Sequence, residues 1–135
     1  PALVLMVDID RFKLVNDSHG HLVGSRTLRR LAEVLGSCIR QVDTLARYGG
    51  DEFTVLLVDT GLETGLTIAN RIRAAVASAL FETRGAGSLS ITVSVGVAAF
   101  PMHGRTPEEL IETADKAMYR AKSLGRDRVC SASDL

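Results

Sequence analysis

Thr44-Leu45-Ala46-Arg47-Tyr48-Gly49-Gly50-Asp51-Glu52-Phe53-Thr54-Val55-Leu56-Leu57-Val58 reads as two strands joined by a tight turn. Thr44 to Arg47 makes a short strand and Glu52 to Val58 a longer one, with Gly49-Gly50 as the hairpin between them. The turn carries two acids, Asp51 and Glu52, between flanks that are otherwise apolar.

Outward from this hairpin the pattern alternates strand and helix. Upstream, Pro1 to Val7 is a continuous apolar run ending in Asp8-Ile9-Asp10, a buried strand with carboxylates at its C-terminal end. Asn16 to Gly20 is turn chemistry. Leu28, Leu31, Val34, Leu35, Cys38 and Ile39 recur at helical spacing, so Leu22 to Arg40 reads as an amphipathic helix whose other face carries Arg26, Arg29, Arg30 and Glu33. Downstream, a second helix runs from Leu62 to Leu80, with Leu62, Leu66, Ala69, Ile72, Val76 and Leu80 on one face. Gly85-Ala86-Gly87-Ser88 is a flexible loop, and Ser90 to Ala99 a β-branched strand. Thr106-Pro107-Glu108-Glu109 starts a third helix, with Thr106 as N-cap and Glu109 completing a capping box. That helix buries Leu110, Ile111, Ala114, Ala117, Met118 and Ala121, and Gly125 stops it; a last strand lies near Arg128 to Cys130. The order predicts an α+β fold, a ferredoxin-like or palm-type central antiparallel sheet flanked by helices, here with the helices on one face.

Composition sets the outer bounds. The chain has 135 residues, 46 % of them apolar, enough for a real core, so disorder is excluded. Sixteen basic residues balance sixteen acidic ones, and a domain with no basic excess is a poor holder of nucleic-acid phosphates. Cys38 and Cys130 fit no metal-ligand spacing and read as one buried and one near-terminal thiol in a reducing compartment. His19, His21 and His103 form no HExxH, which argues against zinc. Ala2 to Val7, the longest apolar run, is far too short to span a bilayer, and nothing before it resembles an export signal. A cytoplasmic domain without membrane contact is expected. Because the chain begins inside an apolar run, an excerpt of a longer protein is expected too.

The chemistry concentrates at one rim. If the strand ending in Asp8 and Asp10 neighbours the hairpin, three or four carboxylates converge there. Such a cluster repels itself unless a divalent cation neutralises it, and all-oxygen ligation suits magnesium. The same acids would also serve a solvated hairpin with ordinary turn chemistry. Phe12-Lys13 follows the acidic strand end, and Lys122 with Arg126 ends the third helix. Free backbone N–H groups in the first loop and these cations suit a polyphosphate, although no GxxxxGK[ST] loop is present. Acids beside cations point to a nucleotide–magnesium site and two-metal phosphoryl chemistry.

Arg47-Tyr48-Gly49-Gly50-Asp51-Glu52-Phe53, with Asp8-Ile9-Asp10-Arg11-Phe12-Lys13-Leu14-Val15-Asn16-Asp17 upstream, resembles the GGDEF domain, the catalytic domain of diguanylate cyclases. Gly20-His21 with Gly24, Ser94-Val95-Gly96-Val97, and Ala114-Asp115-Lys116-Ala117-Met118-Tyr119 through Lys122 and Gly125-Arg126 match in the same order. The resemblance implies a nucleotide-cyclase-like fold over residues 1–135, one catalytic domain lacking the family's opening helix and any upstream regulatory domain. It implies that Asp8, the Ile9 carbonyl and Asp51 bind magnesium, two ions per site or manganese in their place, with Glu52 as a further ligand or catalytic helper. Gly49 and Gly50 would let the backbone approach the nucleotide, Phe12, Lys13, Lys122 and Arg126 would hold the triphosphate, and Asn16 the base. It implies a homodimer in which the 3′-hydroxyl of one nucleotide attacks the α-phosphorus of the other. Arg40-Gln41-Val42-Asp43 matches the family's RxxD inhibitory site for cyclic di-GMP, where Arg71 can assist; a helix-end salt bridge is the plainer alternative.

One position departs from the pattern. After Gly20-His21 the family has Gly-Asp, whose carboxylate accepts from the guanine edge; here the residues are Gly24-Ser25. A carboxylate is acceptor-only and opposes the unprotonated N1 of adenine, whereas serine donates or accepts. Ser25 therefore resembles the hybrid promiscuous subgroup of the family, which uses GTP and ATP and makes cyclic AMP-GMP. A strict diguanylate cyclase and a catalytically retired cyclic-dinucleotide receptor are the alternatives, and the intact Asp8, Asp51 and Glu52 argue against retirement.

Overall fold

The computed structural model describes residues 1–85 and 87–135. Strand β1 (Ala2–Ile9) is buried on both faces, as its unbroken apolar run requires. Helix α1 (Phe12–His19) follows, where turn chemistry was expected at Asn16 to Gly20. Val15 turns into the core and holds the helix in place, and the break comes only at Gly20, at φ 88°, before α2 (His21–Ser37). Helix α2 ends before the expected Arg40 because the Asp43 carboxylate accepts from the Arg40 N–H at 2.9 Å, which bends the chain into the next strand. Strands β2 (Thr44–Arg47) and β3 (Glu52–Val58) form the expected hairpin.

Helix α3 (Leu62–Ser78) stops short of Leu80, which is 65 % exposed and not on the buried face where the periodicity put it. A small hairpin, β4 (Phe81–Glu82) and β5 (Ser88–Leu89), brackets the glycine-rich stretch; Ala86 of the expected loop lies outside the described residues. Strand β6 (Val93–Phe100), helix α4 (Pro107–Ser123), strand β7 (Arg128–Ser131) and a terminal 3-10 turn complete the chain. Thr106 caps α4 by accepting from the Glu109 N–H at 3.1 Å, but Glu109 reaches past the cap to the Arg105 N–H, so the expected capping box is only half made. Both cysteines are buried, including the near-terminal Cys130, which packs with Ala117 and Ala121.

The five-stranded sheet has the order β2-β3-β1-β6-β7. Its inner pairs are antiparallel, but β7 runs parallel to β6, so the sheet is mixed and not wholly antiparallel as expected. A parallel partner needs a long crossover, and α4 supplies it. The helices also cover both faces. Leu3, Leu5, Val7 and Ile9 join the core beneath α2 and α3, whereas Val4 and Met6 pack on Leu110, Ala114 and Met118 of α4. The alternation along β1 thereby sorts side chains between two cores. Even-numbered positions face α4, and Asp8 is one of them.

Candidate active site

The register of the sheet builds the acidic rim. Asp8 at the end of β1 stands opposite Glu52 at the start of β3, and the Ile9 N–H donates to the Asp51 carbonyl at 3.3 Å, tying the hairpin tip to β1. Carboxylate oxygens of Asp8, Asp51 and Glu52 all lie within 4.8 Å of one another. Asp8 is only 3 % exposed, Lys122 Nζ donates to its Oδ2, and its Oδ1 is buried with no partner among the described residues. A carboxylate with one unpaired buried oxygen, clustered with two further carboxylates, fits a divalent cation.

Charge coupling follows from this crowding. Burial pushes the Asp8 carboxyl up, the Lys122 hydrogen bond pulls it back and the charges of Asp51 and Glu52 add to the rise, leaving it at about 6. Burial raises Glu52 too, helped by Asp115 and Asp51. Burial opposes the charge on Lys122, but its bond to Asp8 outweighs this and holds its pKa above the ordinary value.

A cleft of about 290 Å³ adjoins the rim, lined by Phe12, Asn16, His21, Ser25, Leu28, Arg47, Gly50 and Asp51. Asp51 belongs to both the cleft and the acidic cluster, so a bound molecule can reach one from the other. Gly24 lets the Asn16 side-chain oxygen lie against α2: a Cβ there would displace it. Gly49 and Gly50 have no positive φ, and a Cβ on Gly50 would meet open space within the chain. The fold itself does not demand glycine at Gly50, which leaves room for close approach by a ligand.

The sequence-predicted residues fall into three groups. Asp8, Asp51 and Glu52 form the cluster, with Lys122 against it and Ile9 contributing only its main chain, since its side chain is core. Phe12, Asn16, His21, Ser25 and Gly50 line the cleft, while Lys13, Gly49 and Arg126 lie outside its lining. Arg40 and Asp43 pair elsewhere, and Arg71 bonds the chain just before them. Arg40 makes a two-pronged pair with Asp43 at 2.9 and 3.1 Å and donates to the Val58 carbonyl at 2.6 Å, while Arg71 donates to the Cys38 carbonyl at 2.8 Å. The Asp43 side chain is 1 % exposed; burial works against its charge, yet Arg40 holds its carboxyl below the usual range. Val58 and Glu52 are opposite ends of β3, so this group stands roughly 20 Å from the rim.

The expected fourth carboxylate is a correction. Asp10 does not join the cluster: Ser94 Oγ donates to one of its oxygens at 2.6 Å, and Thr92 Oγ1 and the Asp127 N–H to the other at 2.7 and 3.0 Å. Two residues escaped the sequence reading. Arg47 grips the hairpin by donating to the Gly49 and Gly50 carbonyls at 3.1 and 2.6 Å, a role visible only once the turn is closed. Asp115 raises Glu52 from α4; its signal was the seven-residue spacing to Lys122, which puts both on one helix face.

Nearly the whole length has known counterparts. Residues 1–128 match the family described as "Diguanylate cyclase, GGDEF domain", and the chain belongs to that family. The response regulator PleD of Caulobacter vibrioides is 44 % identical over 130 residues, 96 % of this chain and 29 % of PleD. Diguanylate cyclase DgcP of Pseudomonas aeruginosa is 46 % identical over 127 residues, 94 % of this chain and 19 % of DgcP. The chain thus spans less than a third of either relative. Among solved structures, the GGDEF domain of PA1120 from Pseudomonas aeruginosa aligns with a TM-score of 0.93 at 37 % identity, over 96 % of this chain and 81 % of that one. The GGDEF domain of DgcB from Caulobacter crescentus, solved in complex with c-di-GMP, gives 0.90 at 34 % identity, over 98 % and 78 %. No helix among the described residues is long and apolar enough to cross a membrane.

Proposed function

We propose that this domain is a dinucleotide cyclase that condenses two molecules of GTP into cyclic di-GMP with release of pyrophosphate. The observation that carries the reading is Asp8, Asp51 and Glu52 converging beside a cleft that shares Asp51. The relatives named diguanylate cyclases support the same chemistry. Asp8, the Ile9 carbonyl, Asp51 and Glu52 would hold magnesium or manganese, two ions being the proposed complement. When bound, the ions neutralise phosphate charge and lower the pKa of the attacking hydroxyl. The chain's own residues then position the nucleotide. Asn16 and His21 border the base, the hairpin held by Arg47 lies along the sugar and α-phosphate, and Phe12, Lys13, Lys122 and Arg126 hold the phosphates. Each domain carries one nucleotide, so two copies face each other in catalysis, and the reaction belongs in the nucleotide-rich cytoplasm. Arg40, Asp43 and Arg71 form the proposed product-binding group; that the GGDEF domain of DgcB was solved in complex with c-di-GMP supports binding of the product by such a domain.

A second reading concerns the base. Ser25 lines the cleft one helical turn beyond His21, where an acceptor-only carboxylate would select guanine. With serine there, ATP is admitted beside GTP and cyclic AMP-GMP joins the products. The experiment incubates the dimeric protein with GTP, ATP and Mg2+ and identifies products by mass. No cyclic dinucleotide at all would overturn the enzyme reading and favour a retired receptor. Cyclic di-GMP alone from an equimolar mixture would remove the second reading and leave the first. If mixed product forms, Ser25→Asp should shift the ratio towards cyclic di-GMP by roughly tenfold or more.

A further inference from the structure

We propose that Asp10 is a positioning residue that sets the phosphate-binding end of α4, acting through the turn at Arg126 and Asp127. The inference rests on the cyclase reading and deepens it. Asp10 is 6 % exposed, and its carboxylate joins three segments distant in sequence: the end of β1, Thr92 and Ser94 at the start of β6, and the turn between α4 and β7. All three donors point at it, so both of its oxygens are engaged within the chain, and it stands apart from the acidic cluster although it directly follows β1.

What it holds is a costly conformation. Gly125, Arg126 and Asp127 have φ of 122°, 66° and 48°, three successive positive values. Glycine tolerates this freely and aspartate partly, but arginine does not. A non-glycine residue stays left-handed only where its surroundings over-determine it. Here the Arg126 N–H donates to the Ala121 carbonyl at 3.0 Å and the Asp127 N–H to Asp10. From outside, Arg73 of α3 donates to the Asp127 carboxylate at 2.9 Å. Arg126 is therefore clamped on both sides, one turn beyond Lys122, whose Nζ already sits on Asp8. Without the Asp10 anchor the turn relaxes and Arg126 leaves the phosphates, while the acidic cluster keeps its own supports in β1 and β3.

A double-mutant cycle tests this on the affinity for 3′-deoxy-GTP, which binds without being cyclised, measured by calorimetry in Mg2+. Arg126→Ala should weaken binding by about tenfold, the loss of a charge-assisted bond to phosphate. Asp10→Ala should cost a similar factor, and the double variant no more than the larger single loss. Affinity for GMP, which lacks the outer phosphates, should change less than about twofold, and Asp10→Asn, which keeps an oxygen for the Asp127 N–H, should recover most of the loss. A merely structural Asp10 would weaken GMP and 3′-deoxy-GTP together and add to Arg126→Ala; either result overturns the proposal. Should Asp10→Ala fail to fold, the surface exchange Arg73→Ala replaces it, and no loss or an additive loss there overturns the proposal equally. Wild-type protein with no Mg2+-dependent affinity for 3′-deoxy-GTP would sink the cyclase reading itself. Binding that is insensitive to Arg126→Ala sinks only the inference.

Discussion

Asp8 and Asp10 are two residues apart at the end of β1, and residue type and periodicity do not tell them apart; only the family resemblance singled out Asp8. Their roles diverge because Ser94, Thr92 and Asp127 satisfy one and Lys122, Asp51 and Glu52 surround the other. Asp8 also yields a pH prediction. Its carboxyl is raised from 3.8 to about 6 in the folded chain, so the native state binds its proton more tightly than the unfolded state does. Its contribution to stability is fully present below 3.8 and is lost as pH rises through about 6. In metal-free protein, wild type should match Asp8→Asn near pH 4 and fall behind it by on the order of 2 kcal/mol by pH 7.5. Mg2+ should reverse that order at pH 7.5, because binding needs the ionised carboxylate and stabilises only the wild type. Thermal midpoints across pH, with and without Mg2+, check both parts; a difference independent of pH would refute the raised Asp8 carboxyl.

At the scale of elements, α4 decides how the site is assembled, because it carries Lys122 and packs directly on β6. Gly96 makes that contact possible: a Cβ there would overlap the Ala114 carbonyl and the Met118 backbone, neither of which can yield. Gly96→Ala should therefore cost about 3 kcal/mol, the upper end of overpacking, and displace Lys122 from Asp8. Gly36 lies in α2 with open space around its Cβ position, so Gly36→Ala should leave stability unchanged or raise it by about 0.5 kcal/mol. Denaturant unfolding of both variants separates packing from propensity; equal losses would contradict it. Most elements were legible because periodicity is local: both strands of the hairpin and the start of α4 stand where expected. Helix α1 was not, since Asn16, Asp17 and Ser18 favour turns and only the burial of Val15 among distant residues makes them helical.

At the scale of the molecule, the described residues form one acidic cluster, with the cleft that shares Asp51 beside it, whereas the proposed reaction takes two nucleotides. Under the proposed function, turnover per chain should fall as the protein is diluted through its dimerisation range. Joining two copies by a flexible linker should remove most of that fall. Initial rates over a dilution series measure it; turnover per chain that stays constant for the free domain would rule out catalysis between copies. By itself, the sequence determined most of the alternation of strands and helices, the hairpin that carries Asp51 and Glu52, and the carboxylates that the register brings together. Those features depend on periodicity and turn chemistry within about twenty neighbouring residues. Only the tertiary structure decided that helices cover both faces, that β7 is parallel, that the Asp10 carboxylate reaches the turn at Asp127 and that Arg40 pairs with Asp43 far from the rim. Each of these depends on strand register or on partners dozens of positions away, and pairing energies over such separations leave no periodic trace along the chain.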